Sequence, residues 1–139
     1  MSEALAAEMP KVAVKGGVTP YLSIDGAMKA AEFYVKAFGG EIVAAYPPDE
    51  KGRTMHVHLY INGSSVMLAD FYPEHGHAPE TPQAFNLTLQ VDDIEGWWKR
   101  AIDAGCTPGM PPQKMFWGDT YAQCVDPFGV HWSMNQAGA

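Results

Sequence analysis

The chain repeats one order of residues at an offset of 66 to 67 positions. In each half an aspartate precedes a stretch with apolar residues three or four apart, a glycine ends that stretch, and a turn dipeptide separates two β-rich runs. The recurring landmarks are Asp25 with Asp92, Gly39 with Gly105, and Asn62-Gly63 with Phe128-Gly129. The sequence therefore predicts two copies of one structural unit, at a period longer than that of solenoid repeats.

Each copy predicts a strand, a helix and then strands closed by a tight hairpin. In the first half we expect a strand over residues 19–24, a helix from Ala27 to Phe38 capped by Asp25, and a hairpin turn at Asn62-Gly63. In the second half we expect a strand over residues 85–91, a helix from residue 94 capped by Asp92, and strands over residues 122–125 and 130–134. The pattern favours an α+β fold.

The length of 139 residues suits one compact domain. We expect residues 1–17 to be a loosely held, flexible N-terminal arm and residues 18–136 to be a single domain. Within it, module one spans 18–72 and module two spans 84–136. The linker 73–83 is rich in proline and is predicted to be an exposed loop.

Composition excludes several classes of partner. The net charge is −7 and no basic run is present, so nucleic acid and anionic membrane surfaces are poor candidates. The sequence has neither a secretory signal pattern nor 18 consecutive apolar residues, and we expect a cytoplasmic protein. Cys106 and Cys124 lack CxxC spacing, which favours reduced, buried thiols over a disulfide or a reactive thiol.

Several motifs together resemble the PhnB-like branch of the vicinal oxygen chelate (glyoxalase/bleomycin resistance protein/dioxygenase) superfamily. They are Ala31-Glu32-Phe33-Tyr34, Ala37-Phe38-Gly39-Gly40, Met55-His56, Val66-Met67-Leu68-Ala69-Asp70, Phe116-Trp117-Gly118-Asp119 and Asp126-Pro127-Phe128-Gly129 with Trp132. The resemblance implies two tandem βαβββ modules whose mixed sheets curl into open cups, usually in a homodimer. Members of that superfamily include metal-dependent isomerases, epimerases and dioxygenases, and metal-free proteins that sequester antibiotics.

The resemblance also locates the metal-ligand positions of the superfamily. It places them at Thr19, near Leu68, at Asn86 and at Ser133. A catalytic divalent metal needs His, Glu or Asp there, so we expect no metal and no other cofactor.

A non-standard metal site is the alternative. His56 and His58 are two residues apart on a predicted strand and point the same way, with Asp70 or His131 as a third ligand. The simpler interpretation is that His56 is a hydrogen-bonded cavity or core histidine and that His58 is a local substitution. His75 and His77 lie in the linker and are expected to be solvated.

The sequence favours a metal-free protein that binds a small, flat or hydrophobic molecule in its cavity. Two other functions remain open: a metal-dependent lyase, isomerase or dioxygenase with a non-standard histidine site, and a metal-independent enzyme with His56 or His58 as general base. Asp119 could also act as a base, but it is more simply a loop-orienting residue, and no catalytic residue is assigned. The expected partners are the small ligand and a second copy of the chain. The candidate ligand-binding residues are Tyr21, Phe33, His56, His58, Trp117, Tyr121 and Trp132.

Overall fold

Two four-stranded mixed sheets, each with one helix, form the fold of the computed structural model, which describes residues 12–138. The first half contains β1 (Tyr21–Ser23), α1 (Ala27–Phe38), β2 (Glu41–Ala45), β3 (Val57–Ile61) and β4 (Ser64–Ala69). The second half contains β5 (Leu87–Gln90), α2 (Ile94–Ala104), β6 (Thr107–Lys114), β7 (Thr120–Val125) and β8 (His131–Gln136). Both halves therefore have the order βαβββ.

The two sheets have the same topology. The first has the strand order β1-β4-β3-β2 and the second β5-β8-β7-β6, so the first strand of each unit lies beside the last. In both sheets that pair is parallel and the other pairs are antiparallel. A strand can lie parallel to an earlier strand only after a crossover connection, and the helix is the first part of that connection here. The predicted α+β fold with tandem modules is confirmed.

Both predicted hairpin turns have the backbone conformations or hydrogen bonds that a tight turn requires. Asn62 and Gly63 have φ values of 50° and 82°, the left-handed pair that a two-residue hairpin requires. In the second unit the Asp126 carboxylate accepts hydrogen bonds from the backbone N–H of Phe128 at 2.8 Å and of Val130 at 3.0 Å. Both turns therefore have the local structural causes that the sequence indicates.

The N-termini of the helices differ from the prediction. Helix α1 begins at Ala27, and the N–H groups of Gly26 and Ala27 donate to Asp70 at 2.8 and 3.2 Å rather than to Asp25. Helix α2 is capped by Asp93, one residue after the expected Asp92, through a 3.2 Å bond from the Gly96 N–H. Because the carboxylate that caps α1 belongs to a residue far away in the sequence, no local sequence pattern indicates it.

One face of each sheet forms the core. In the first unit the core face carries the buried side chains Leu22, Val57, Leu59, Ile61 and Leu68, of which Val57, Leu59 and Ile61 occupy every second position of β3. In the second unit the buried side chains Ala122, Cys124, Trp132 and Met134 occupy one face, and α2 contacts β6, β7 and β8. Cys106 and Cys124 are both free thiols and both buried.

The chain divides into two compact units. One holds the residues up to Val35 and Gly40–Pro79, and the other holds Lys36–Gly39 and the residues from Glu80. Among residues 12–138, no helix is long and apolar enough to cross a membrane. The linker forms a short 3₁₀ turn over Pro73–His75, which the loop prediction did not include.

The expected N-terminal arm falls partly outside the described residues, which begin at residue 12. Its described end is tied to the first sheet. The Lys15 N–H donates to the Ser65 hydroxyl at 2.8 Å, and the Tyr60 hydroxyl donates to the Ala13 carbonyl at 2.7 Å. Residues 13–15 thus lie against β3 and β4.

Candidate functional site

Each sheet has a second face that carries polar and aromatic side chains instead of core residues. Residues opposite one another on neighbouring strands share a face, so the strand register identifies its members. We call these the first open face, with Tyr21, His58, Tyr60, Ser65 and Met67, and the second open face, with Thr88, Tyr121, Gln123, Ser133 and Asn135.

Tyr21 and His56 form a hydrogen-bonded pair on the first open face. The Tyr21 hydroxyl lies 2.8 Å from His56 Nδ1, and their ring centroids are 5.6 Å apart. Tyr46 lies against the same imidazole, with a centroid distance of 5.7 Å. Tyr46 was missed in the sequence because it stands in the β2–β3 connection, ten positions from His56, without a motif around it.

Electrostatics keep this pair neutral. Burial, and then the proximity of His58, lower the pKa of His56. Burial, and then Tyr46, raise the pKa of Tyr21. A low histidine pKa and a high tyrosine pKa both favour the uncharged forms at neutral pH.

His58 shares this face but is enclosed. It is 3% exposed, its Nε2 lies 2.7 Å from the Ser65 hydroxyl, and its ring meets the edge of Tyr60 at 5.4 Å. Burial lowers the pKa of His58. The simpler sequence interpretation made His56 a hydrogen-bonded cavity or core histidine; His56 is hydrogen-bonded and half-buried, and the enclosed core histidine is His58.

The residues offered as third metal ligands lie elsewhere. Both Asp70 oxygens accept backbone N–H groups, from Gly26 and Ala27 on one side and from Thr54 at 2.8 Å on the other. His131 belongs to the other unit, on β8. Within residues 12–138, no group of three or more His, Cys, Asp or Glu side chains could hold a metal ion.

The register locates the family's metal-ligand position near Leu68 more closely. Met67 pairs with Tyr21 in the same way that Ser133 pairs with Thr88, so the residue of this position that lies on the open face is Met67. Leu68 itself is fully buried. A one-residue error on a strand transfers a side chain to the opposite face.

In the second unit, the positions that correspond to the family's metal ligands carry neutral side chains. The Ser133 and Thr88 hydroxyls each lie 2.9 Å from Asn86 Oδ1 and 2.7 Å from each other. Hydroxyls and an amide that satisfy one another are not the ligand set of a catalytic divalent metal. The metal implied by the superfamily does not fit these residues.

A row of aromatic and polar side chains follows the second open face. Phe116 and Trp117 meet edge to face at 5.0 Å, and Trp117 meets Tyr121 at 5.9 Å. Gln123 Nε2 lies 3.2 Å from the Tyr121 hydroxyl. Phe116 is 96% and Trp117 48% exposed, so this row presents aromatic surface to solvent.

Gln123, which contacts Tyr121 of this row, also lines a cleft of about 670 Å³ in the second unit, together with Asn86, Gly109 and His131. None of the described residues that line it is Asp, Glu, Lys or Arg. The sequence considered Asn86 only as a metal position and did not identify Gln123. An amide on the exposed side of a strand resembles any other surface residue.

Asp119 orients a loop. Its carboxylate accepts hydrogen bonds from the Gly138 N–H and the Asn135 amide, both at 3.0 Å. The bond from Gly138 has the larger effect and the bond from Asn135 the smaller, and together they hold the pKa of Asp119 below its usual value. A carboxylate stabilised in its charged form is a weak general base, so the loop interpretation fits its surroundings.

Two candidate ligand-binding residues, Trp132 and Phe33, lie off the open faces, and Trp132 also lines the cleft of the second unit. Trp132 is 1% exposed, its ring lies 4.5 Å from that of Phe38, and its Nε1 donates to Asp126 at 2.9 Å. Phe33 is half-buried on α1 beside Tyr34. The structure thus brings Tyr21, His56 and His58 together in one unit, and Trp117 and Tyr121 together in the other.

Comparisons with known proteins agree with this architecture. A family model described as the Glyoxalase/Bleomycin resistance protein/Dioxygenase superfamily matches residues 21–134. The uncharacterized protein Rv0887c of Mycobacterium tuberculosis is 38% identical over 130 residues, which covers 88% of this chain and 75% of that protein.

Solved structures share the fold. Protein PA1353 from Pseudomonas aeruginosa superimposes with a TM-score of 0.71 at 27% identity, over 86% of this chain and 96% of that one. The PhnB protein from Bacillus cereus superimposes with a TM-score of 0.67 at 23% identity, over 88% of this chain and 100% of that one.

Proposed function

This chain belongs to the Glyoxalase/Bleomycin resistance protein/Dioxygenase superfamily, and we propose that it binds a small, flat, uncharged molecule without a metal ion. Trp117 and Tyr121 of the second unit are the proposed contact residues. We further propose that it falls in the PhnB-like branch, acts in the cytoplasm and pairs with a second copy of itself. The Phe116-Trp117-Gly118-Asp119 motif and the similarity to the Bacillus cereus PhnB protein support the branch.

One observation carries the proposal: the exposed aromatic row of the second open face contacts Gln123, and Gln123 lines a cleft whose described residues carry no fixed charge. Trp117 and Tyr121 offer flat apolar surface at one end, and Asn86 and Gln123 offer amide groups at the other. Ligand sites combine apolar walls with a few polar groups in this way. A charged ligand would be desolvated there without a partner of opposite charge, which is costly.

The test uses the uncharged dye N-phenyl-1-naphthylamine, which has no carbonyl group and whose emission shifts to the blue when its surroundings become less polar. We expect saturable binding to the full chain, and about threefold to tenfold weaker binding to Trp117→Ala, since an aromatic pair contributes about 0.5–1.5 kcal/mol. Trp97→Ala, on helix α2, is the control and should bind as the natural chain does. Equal affinity in all three proteins, or no saturable binding, would refute the proposed site.

A further inference from the structure

Two tyrosines enclose the His56 ring on the first open face. The centroids of Tyr21 and Tyr46 lie 5.6 and 5.7 Å from that of the imidazole, at interplanar angles of 41° and 54°. Tyr21 is 52% exposed, and His56 and Tyr46 are half-buried. The three rings form a small aromatic pocket with one edge open to solvent.

The hydrogen bond between Tyr21 and His56 determines where the imidazole proton lies. A phenol is a more acidic donor than a neutral imidazole N–H, and a bare imidazole nitrogen is a better acceptor than a phenol oxygen. The Tyr21 hydroxyl therefore donates to Nδ1 across 2.8 Å, a shorter path than the 3.4 Å to the Met55 carbonyl. With Nδ1 acting as acceptor, a neutral ring carries its single proton on Nε2.

His56 Nε2 is consequently a hydrogen-bond donor, and no partner for it is found among residues 12–138. The lowered pKa of His56 and the raised pKa of Tyr21 agree with an uncharged pair. Nε2–H is accessible, because no side-chain nitrogen of the half-buried and buried described residues is both buried and unpartnered, and a flat molecule beside the tyrosine rings can offer it an in-plane carbonyl oxygen. A neutral imidazole and a net charge of −7 do not favour a carboxylate.

We propose that Tyr21, His56 and Tyr46 anchor the carbonyl oxygen of an aromatic ketone, with His56 Nε2–H as the donor and the tyrosine rings against the ring system. This inference rests on the proposed binding function and adds the chemical group that a ligand of the first open face must present. It also assigns Tyr21 a positioning role, since its hydroxyl holds the tautomer in which Nε2 is the donor.

The first measurement is the ¹⁵N chemical shift of the two His56 ring nitrogens. We expect a bare Nδ1 and a protonated Nε2 in the natural chain at neutral pH. Tyr21→Phe removes the hydroxyl, and the two tautomers should then mix. A protonated Nδ1 in the natural chain would overturn the proposal, because Nε2 would then be an acceptor.

The second measurement compares two ligands that differ in one group. Chromone carries a ring carbonyl, and 4H-chromene has a CH₂ group in its place. One net hydrogen bond corresponds to about fivefold in affinity, so NMR titration should show chromone binding about fivefold more tightly. His56→Phe keeps an aromatic ring without the N–H and should abolish this preference, whereas the control His75→Phe, at an exposed linker position, should retain it.

The outcomes separate this inference from the proposed function. Equal affinity for the two compounds, or a chromone preference that survives in His56→Phe, would overturn the aromatic ketone site while N-phenyl-1-naphthylamine binding at Trp117 stood. Failure of chromone, 4H-chromene and N-phenyl-1-naphthylamine alike would overturn both.

Discussion

Replacing Asp70 by alanine should destabilise the protein more than any other single carboxylate removed from the first unit. Asp70 is 3% exposed, and its two oxygens accept the N–H groups of Gly26, Ala27 and Thr54. It therefore joins the end of β4 to the start of α1 and to the segment before β3.

The magnitude follows from those three bonds. A hydrogen bond to a charged acceptor contributes about 1.5–3 kcal/mol, and a buried N–H left without a partner costs about 1–3 kcal/mol. Because the three N–H groups share one carboxylate and the site relaxes, we expect Asp70→Ala to lose about 4 kcal/mol of unfolding free energy. For a chain of this length the melting temperature should fall by about 15 °C.

The assay is urea unfolding followed by circular dichroism, with Asp25→Ala as the matched control. Asp25 is an exposed aspartate just before the same helix, so its removal should cost less than about 0.5 kcal/mol. A loss below about 1 kcal/mol for Asp70→Ala, or an equal loss for Asp25→Ala, would refute the assignment of the helix cap.

Three further predictions concern single groups. Gly63 has φ +82° with nothing within 4 Å of an added Cβ, so Gly63→Ala should lower the unfolding free energy by about 1 kcal/mol through the backbone alone; an unchanged urea midpoint would contradict this. The hydrogen bonds from Arg53 lower the pKa of Glu74 from 4.5 to about 2, so this pair stabilises the fold above pH 4.5 and the stabilisation is lost as the pH falls towards 2. The urea midpoints of the natural chain and Glu74→Gln should converge over that range, and a constant gap would count against the pair. His56 should titrate below 6.5 by NMR, and a pKa above that value would show that burial does not dominate its surroundings.

Much of the fold follows from local patterns in the sequence. The helix from Ala27 to Phe38 has the predicted bounds, because its apolar spacing and the glycine at its end are both local signals. The hairpin at Asn62-Gly63 is local in the same sense. The offset between the two copies then predicted that both halves share one topology.

The errors arose where a partner is distant or a register must be counted. Asp70 caps a helix from 44 positions away, and no spacing rule connects the two. The face of Met67 and Leu68 depends on strand pairing, which the sequence alone did not determine to one residue.

The site could be predicted only in part for the same reason. Alternation along the strand places His56 on the same side as His58. The hydrogen-bond partner of His56, Tyr21, lies 35 positions away in the sequence, and no local pattern connects the two. The enclosure of His58 depends on Ser65 and on Lys15, which precedes the repeat. Contacts of this kind become visible only when the chain is folded.

The most direct test of the account is elemental analysis of the full chain, expressed without an affinity tag and purified without chelators. The open faces present hydroxyls, amides, a thioether and a neutral tyrosine–histidine pair, so we predict that no transition metal accompanies the protein in stoichiometric amount. One Zn, Ni, Mn or Fe ion per chain, retained through dialysis, would contradict the claim that the cavity binds its ligand without a metal.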